Sequence, residues 1–119
     1  MEIRIKTSDY QMPPETAAYL DEKIGAIAKL VGDDPSALCD VEVGRAVGHS
    51  QQGNVWMAEL TLVIAGDRLR AIAHEESVNA AIDVAKDEMV QQLRKSKGKH
   101  TAESRKIGAR IKEWMRFEN

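Results

Sequence analysis

The sequence has few of the residues that mark secreted, membrane-bound or disulfide-stabilised proteins. Its 119 residues include one cysteine, Cys39, which excludes an intramolecular disulfide and fits a reducing cytosol. No apolar run approaches the roughly 20 residues that a transmembrane helix needs. The N-terminal residues MEIRIKTSD also lack the apolar stretch of a secretory signal. We therefore expect a single cytoplasmic domain without a membrane segment.

Motifs for catalysis and metal binding are missing as well. The sequence contains no CxxC, HExxH or GxSxG motif and no phosphate-binding loop. His49, His74 and His100 lie in separate segments and lack metal-ligand spacing. Asp83 and Asp87 form an i,i+4 carboxylate pair, but no acid–base partner shares their helical face. We expect no enzymatic activity, no metal and no cofactor.

Aromatic residues are also scarce, at 4% of the chain. A surface that reads single-stranded RNA needs several exposed rings on which bases can stack, and this chain has too few. We therefore predict that Trp56 belongs to the core and is not a stacking platform. If the protein binds nucleic acid, the composition favours recognition of folded RNA by shape and charge.

One helix, within residues 76–99, organises the predicted fold. Apolar residues recur at helical spacing along it: Val78, Ile82, Ala85, Met89 and Leu93. Ser77 is suited to cap its N-terminus, because a serine hydroxyl can accept a bond from a first-turn N–H. Gly98 is a typical stop, and we expect a break in the helix near this residue.

The remaining segments predict a four-stranded sheet and one more helix. They are a strand at 3–6, a helix from Pro13-Pro14 to Gly32, a strand from Cys39 to Val43 or as far as Val47, a polar hairpin loop at 48–53, and strands at 54–64 and 68–75. In the first strand, Ile3 and Ile5 should face the core, with Arg4 and Lys6 on the other side. The order β-α-β-β-β-α predicts an α+β two-layer sandwich with both helices on one sheet face.

Charge is distributed unevenly along the chain. The formal net charge is −2, yet residues 1–67 carry 5 Lys/Arg against 11 Asp/Glu and residues 68–119 carry 12 against 8. A basic cluster lies at the C-terminal end of the second helix, where we expect it to meet a loop, at Arg94, Lys95, Lys97 and Lys99. This asymmetry is typical of a surface that contacts a polyanion, and equally of a solvated tail. Four more cations should lie on the open sheet face or its rim: Arg4, Lys6, Arg68 and Arg70.

The C-terminal residues predict a basic amphipathic helix. Ile107, Ile111 and Met115 recur at helical spacing, and the cations Arg105, Lys106 and Arg110 surround them. We therefore divide the chain into an α+β domain, residues 1–99, and a basic helical tail, residues 100–119.

The element order and one motif together resemble a known family. The segment NAAIDVAKDEMVQQLRKSKGK is similar to the second helix of the ribosome hibernation promoting factor and ribosome-associated inhibitor family, also called the sigma-54 modulation family. Ala80-Ala81-Ile82-Asp83, Gln92-Leu93 and the spaced lysines match its pattern. The resemblance covers roughly residues 1–99. It implies a fold like that of double-stranded-RNA-binding domains. It also implies that the domain binds in the channel between the head and body of the small ribosomal subunit.

Three features depart from the family pattern. Asn79 stands where the family usually has tyrosine, and Glu88 and Gln91 stand where a lysine and an arginine are common. The residues after Thr101 match neither the acidic tail of the inhibitor type nor the dimerisation domain of the long form. We infer a short-form protein with a divergent basic helix. That helix could contact RNA, form a homodimer or pack as an ordinary helix.

The resemblance implies a non-catalytic factor that binds 16S rRNA near the decoding region. It would block the messenger and transfer RNA sites in stationary phase or stress, and neither DNA nor a membrane is expected as a partner. The implied phosphate contacts are Lys95, Lys97 and Lys99, helped by Arg94. The four sheet cations and the tail cations are further candidates. The alternative is a protein-interaction module that uses the open sheet face or self-associates through the C-terminal helix.

Overall fold

The computed structural model of the chain describes residues 1–46 and 55–107, with the backbone alone for residues 97–107. Its elements, in chain order, are β1 (Glu2–Ser8), α1 (Pro14–Val31), β2 (Leu38–Arg45), β3 (Trp56–Ile64), β4 (Asp67–Glu75) and α2 (Val78–Ile107). The predicted order β-α-β-β-β-α is therefore confirmed. The predicted hairpin loop at 48–53 and the tail residues Arg110, Ile111 and Met115 lie outside the described residues. None of the helices in the described part is both long enough and apolar enough to cross a bilayer.

Both helices begin where their sequence signals place them, and α1 also ends at the predicted glycine. Pro13 precedes α1 in an extended conformation, and Gly32 ends the helix with a positive φ of 75°. Ser77 caps α2, because its Oγ accepts a bond of 3.1 Å from the backbone N–H of Ala80. These local signals fix the entry of each helix onto the sheet.

The sheet is mixed, with the order β1-β2-β3-β4. Strand β1 pairs in parallel with β2, which requires the crossover through α1, whereas β2, β3 and β4 form an antiparallel meander. The β3–β4 hairpin turns at Ala65 and Gly66, with φ values of 51° and 83°. Two consecutive positive φ values are typical of the type I′ turn, whose twist matches that of the flanking strands.

The core lies between one sheet face and the two helices. Strands β2, β3 and β4 contribute alternate residues, and each helix contributes one apolar stripe. The buried residues are Leu20, Ile24, Ile27, Val31, Ala37, Cys39, Val41, Val43, Ala58, Leu60, Leu62, Ala71, Ala73, Ala81, Ile82, Ala85, Met89 and Leu93. The two-layer α+β sandwich is thus confirmed, and no described element covers the other sheet face.

The isoleucines of β1 face the core side as predicted, but they are not buried. Ile3 and Ile5 pair with Cys39 and Val41, so they do face the helix side of the sheet. They nevertheless remain 44% and 45% exposed. Helix α1 packs over β2 and β3, and α2 over β3 and β4, so β1 extends past the edge of the helical layer. Alternation predicted the facing correctly, but the cover depends on where the helices lie.

The predicted break near Gly98 is also absent. Helix α2 continues through Gly98 to Ile107. A glycine inside a helix costs about 1 kcal/mol relative to alanine, which helix-forming neighbours such as lysine, arginine and glutamate can offset. The basic cluster therefore lies inside α2 and not where the helix ends.

Candidate nucleic-acid interface

The basic cluster begins on the exposed side of α2. Arg94 and Lys95 are exposed, and Leu93 beside them is 1% exposed in the core. Neither cation has an acidic partner among the described residues. Both charges are therefore available to an external anion. Lys97 and Lys99 lie further along the same helix, on backbone that the structure describes without their side chains.

Two hydrogen bonds fix this part of α2 to the edge of the sheet. Gln92 donates from Nε2 to the backbone oxygen of Arg70 over 2.7 Å. Ser96, one helical turn later, donates from Oγ to Oδ2 of Asp67 over 3.1 Å. Arg94 and Lys95 lie between these anchors. Cations held by a fixed backbone present their charges in a defined register, which is what phosphate contacts require.

A shallow groove runs between β4 and this part of α2. Arg68 and Lys95 both line it, together with Asp67, Gln92 and Ser96. The fold thus brings together two cations that are separated by 27 positions in the sequence. Asp67, which accepts the bond from Ser96, adds one negative charge to the groove floor.

The open sheet face has a different charge pattern. Its cations lie on the two edge strands, Arg4 and Lys6 on β1 and Arg68 and Arg70 on β4. Four carboxylates share this face: Glu2, Asp40, Glu42 and Glu59. The face is therefore nearly balanced in charge.

Three of the four sheet-face cations lie against carboxylates of the chain. Arg4 lies 3.1 Å from Glu2 and Lys6 lies 3.6 Å from Glu42. Arg70 pairs with Glu59. These partners reduce the positive charge that an approaching phosphate would meet. The sheet face is consequently a weaker polyanion surface than the exposed side of α2.

Asp83, in the motif of the second helix, joins the two helices. Its Oδ1 accepts a bond of 2.5 Å from the Tyr19 hydroxyl and lies 3.6 Å from Nζ of Lys23. The hydrogen bond to Asp83 and partial burial raise the pKa of Tyr19 to about 12. Lys23 also lies 4.9 Å from the centre of the Tyr19 ring. Asp83 therefore orients α1 against α2, a role that helical spacing did not indicate.

Trp56 is half-buried, so its predicted place in the core is wrong. The last buried row across the sheet consists of Val43, Ala58 and Ala73, and Trp56 lies in the next row. Tyr10 packs edge-on against its ring, with centroids 5.1 Å apart, and the Arg45 guanidinium lies 4.7 Å from the ring centre. The strand alternation continues past the region that the helices cover.

Sequence reasoning missed the residues that position the basic cluster. Gln92 belongs to the motif, but nothing in the motif indicates that it or Ser96 anchors the helix. Their spacing of four residues was the available signal, because it places both on one helical face toward β4. Arg105, Lys106 and Ile107 occupy the last turns of α2. Among the side chains that the structure describes, no three His, Cys, Asp or Glu residues group as metal ligands.

Comparisons with known proteins bear on the family and the fold. Residues 3–101 match the family model described as sigma 54 modulation protein / S30EA ribosomal protein. The fold is similar to the N-terminal domain of Thermus thermophilus Protein Y, with a TM-score of 0.65, 20% identity, and 80% of this chain and 98% of that chain covered. It is also similar to a ribosomal subunit interface protein from Coxiella burnetii, with a TM-score of 0.67, 13% identity, and coverage of 82% and 99%. A comparison with curated proteins gives no match.

Proposed function

Because the match over residues 3–101 spans most of the chain, the protein belongs to the sigma 54 modulation protein / S30EA ribosomal protein family, and on this premise we propose that it is a ribosome-bound inhibitor of translation. Its partner in this proposal is the 16S rRNA of the small subunit near the decoding region. By occupying the channel between the head and body of the small subunit, the protein blocks the messenger and transfer RNA sites during stationary phase or stress. Blocking of this kind needs shape and charge but no catalysis.

The exposed cations on α2 carry the proposal. Arg94 and Lys95 project from a helix that Gln92 and Ser96 hold against β4. Lys97 and Lys99 extend the same basic run in the sequence. Phosphate contacts supply affinity without reading base sequence, so a rigid row of cations is sufficient for binding folded rRNA.

The other cations have secondary roles in this proposal. Arg68 lines the same groove as Lys95, so it is the sheet residue best placed to share a phosphate with α2. Arg4, Lys6 and Arg70 lie against carboxylates and contribute less. The division into a ribosome-binding domain, residues 1–99, and a basic tail, residues 100–119, belongs to the same proposal. The tail cations Arg105, Lys106 and Arg110 would add contacts to rRNA.

Sedimentation with purified small ribosomal subunits at low and high salt tests the proposal. Wild-type protein should migrate with the subunits at low salt and leave them as salt rises, because binding releases counterions. Lys95→Glu should weaken binding and lower the slope of log K against log salt by about 0.7–0.9 for each lost phosphate contact. Lys29→Glu, at an exposed position in the last turn of α1, makes the same change in net charge and should bind like the wild type. Equal binding of the two variants would contradict the placement of the interface on α2.

The charge-balanced sheet face favours a second candidate, a protein-interaction module. Alternating charges on a sheet surface suit a protein partner better than a polyanion. This candidate predicts complexes that contain a protein partner and no nucleic acid. Wild-type protein that stays at the top of every gradient would favour it over ribosome binding.

A further inference from the structure

Strand β1 presents an open backbone edge. It lies at one end of the sheet order and, among residues 1–46 and 55–107, pairs only with β2. The N–H of Glu2 donates to the carbonyl of Ala37 beside β2, over 2.8 Å. The backbone N–H and C=O groups alternate sides along a strand, so those of residues 2, 4 and 6 point toward β2. Those of Ile3, Ile5 and Thr7 therefore point outward, where a further strand could bind them.

The same edge carries exposed apolar side chains. Ile3 and Ile5, both on the helix side of the sheet, are 44% and 45% exposed. Natural sheets usually protect an edge strand, because an open edge next to β-branched residues promotes pairing with another chain. Charged side chains of β1 point to the opposite face and leave this pair uncovered within the described residues. The edge therefore has both the backbone groups and the apolar side chains of a strand-pairing surface.

We propose that two copies of the chain pair through their β1 strands, antiparallel and centred on Arg4, to form one continuous eight-stranded sheet. In this register Ile3 lies opposite Ile5 of the second copy, and the reverse pair forms by symmetry. The four isoleucines then make one apolar strip on the helix side. On the open face, Glu2 lies opposite Lys6 of the second copy, which places opposite charges together twice.

Charge and side-chain facing favour this register over its neighbours. Parallel pairing would place isoleucines of one copy level with charged residues of the other, because a residue whose backbone groups bond across a parallel ladder lies level with one whose groups point away. A shift of one residue would place isoleucines opposite charged residues on the wrong face. A register centred on Ile3 pairs Glu2 with Arg4 but leaves Ile5 without an isoleucine partner. The centre at Arg4 places two arginines side by side, and each lies 3.1 Å from its own Glu2, which offsets part of the repulsion.

Cysteine cross-linking of the purified protein tests the register directly. Arg4 opposes its own copy at a non-hydrogen-bonded antiparallel position, where Cα atoms lie about 4.5 Å apart, within disulfide range. Arg4→Cys should therefore form dimers under mild oxidation. Arg68→Cys, on the same face at the other sheet edge, is the matched control and should stay monomeric. Cys39 is buried and burial raises its pKa to about 11, so it should not cross-link in either variant.

A second pair of variants distinguishes this register from others. Glu2→Cys and Lys6→Cys should each cross-link poorly alone but readily when mixed, because these positions oppose one another only across the two copies. Dimers of Arg4→Cys at no higher yield than Arg68→Cys would overturn the proposal. A mixture of the Glu2 and Lys6 variants that fails to link would overturn the register.

Charge placed at the apolar strip provides an independent test. Ile5→Lys should lower the yield of the Arg4→Cys dimer by about tenfold or more, because it places a charge opposite Ile3 of the second copy inside the apolar strip; tenfold corresponds to about 1.4 kcal/mol. Ile72→Lys, at a 39% exposed isoleucine of β4, is the control and should leave the yield unchanged. Circular dichroism verifies that each variant folds. Equal yields for the two lysine variants would refute pairing through β1. The assay contains no ribosomes, so its outcome is independent of the proposed function.

Discussion

Replacing Gly44 with alanine should destabilise the protein, because β1 passes too close to this position for a side chain. Gly44 pairs with Ser8 at the end of the parallel β1–β2 ladder. A Cβ built on Gly44 would lie 2.0 Å from the carbonyl oxygen of Ser8 and 2.8 Å from both its N and C atoms. Real Cβ atoms essentially never approach closer than 3.0 Å. The end of β1 must therefore move by about 1 Å or more.

The cost of that movement can be estimated from the contacts involved. Overpacking at a site that cannot relax costs about 1–3 kcal/mol. Moving Ser8 also strains its hydrogen bond to Glu42, which is 2.6 Å long and is worth about 1 kcal/mol. We expect Gly44→Ala to lower the free energy of unfolding by about 2–4 kcal/mol.

Urea denaturation measures this change, and Gly25 supplies the control. A Cβ at Gly25, in the middle of α1, would meet no atom within 4 Å. Gly25→Ala should therefore raise stability by about 0.5–1 kcal/mol through its helix propensity. With an m-value of about 1–3 kcal/mol/M, the two variants should shift the urea midpoint in opposite directions. A Gly44→Ala variant as stable as the wild type would refute the close approach of β1.

Three further substitutions test the turn, the core and the contact between the helices. Ala65→Asn should raise stability by about 0.5–1 kcal/mol, because asparagine tolerates the positive φ that precedes Gly66; a melting temperature that falls would contradict the type I′ turn. Leu93→Ala should lower the free energy of unfolding by about 2–5 kcal/mol, because it removes a core side chain directly before the exposed cations. Chemical denaturation measures this change, and a loss below about 1 kcal/mol would contradict the burial of Leu93. The raised pKa of Tyr19 means that its neutral form stabilises the fold below pH 10 and that this contribution is lost as pH rises from 10 toward about 12. In Asp83→Asn, tyrosinate absorbance should show this titration moving toward pH 10; an unchanged curve would refute the contact.

Periodicity and end signals predicted most of the fold, because each is a local property of the chain. The stripe from Val78 to Leu93 and the cap at Ser77 predicted α2 and its buried face. By the same alternation Ile3 and Ile5 face the core side, yet both remain exposed, and Trp56, predicted to lie in the core, is only half-buried. Alternation determines which way a side chain faces, and it carries no information on how far the neighbouring layer extends.

The local features of the candidate interface were predicted from the sequence, but its contacts between distant segments were not. Basic residues on α2 were visible in the sequence, and their exposure follows from the apolar stripe on the opposite side of the helix. The anchors Gln92 and Ser96 were not visible as such, because their partners on β4 lie 22 and 29 positions away. Ion pairs between Arg70 and Glu59, or between Lys6 and Glu42, likewise depend on strand register.

The sequence by itself determined the elements, their order and the face of each that is apolar. These properties follow from spacing, capping and turn residues, which act within a few positions of the chain. Only the tertiary structure decided that the helices cover β2 to β4 and leave β1 open. It also decided that three of the four sheet cations lie against carboxylates while Arg94 and Lys95 stay exposed. Both outcomes arise from contacts between distant segments, whose geometry is set when the layers pack together.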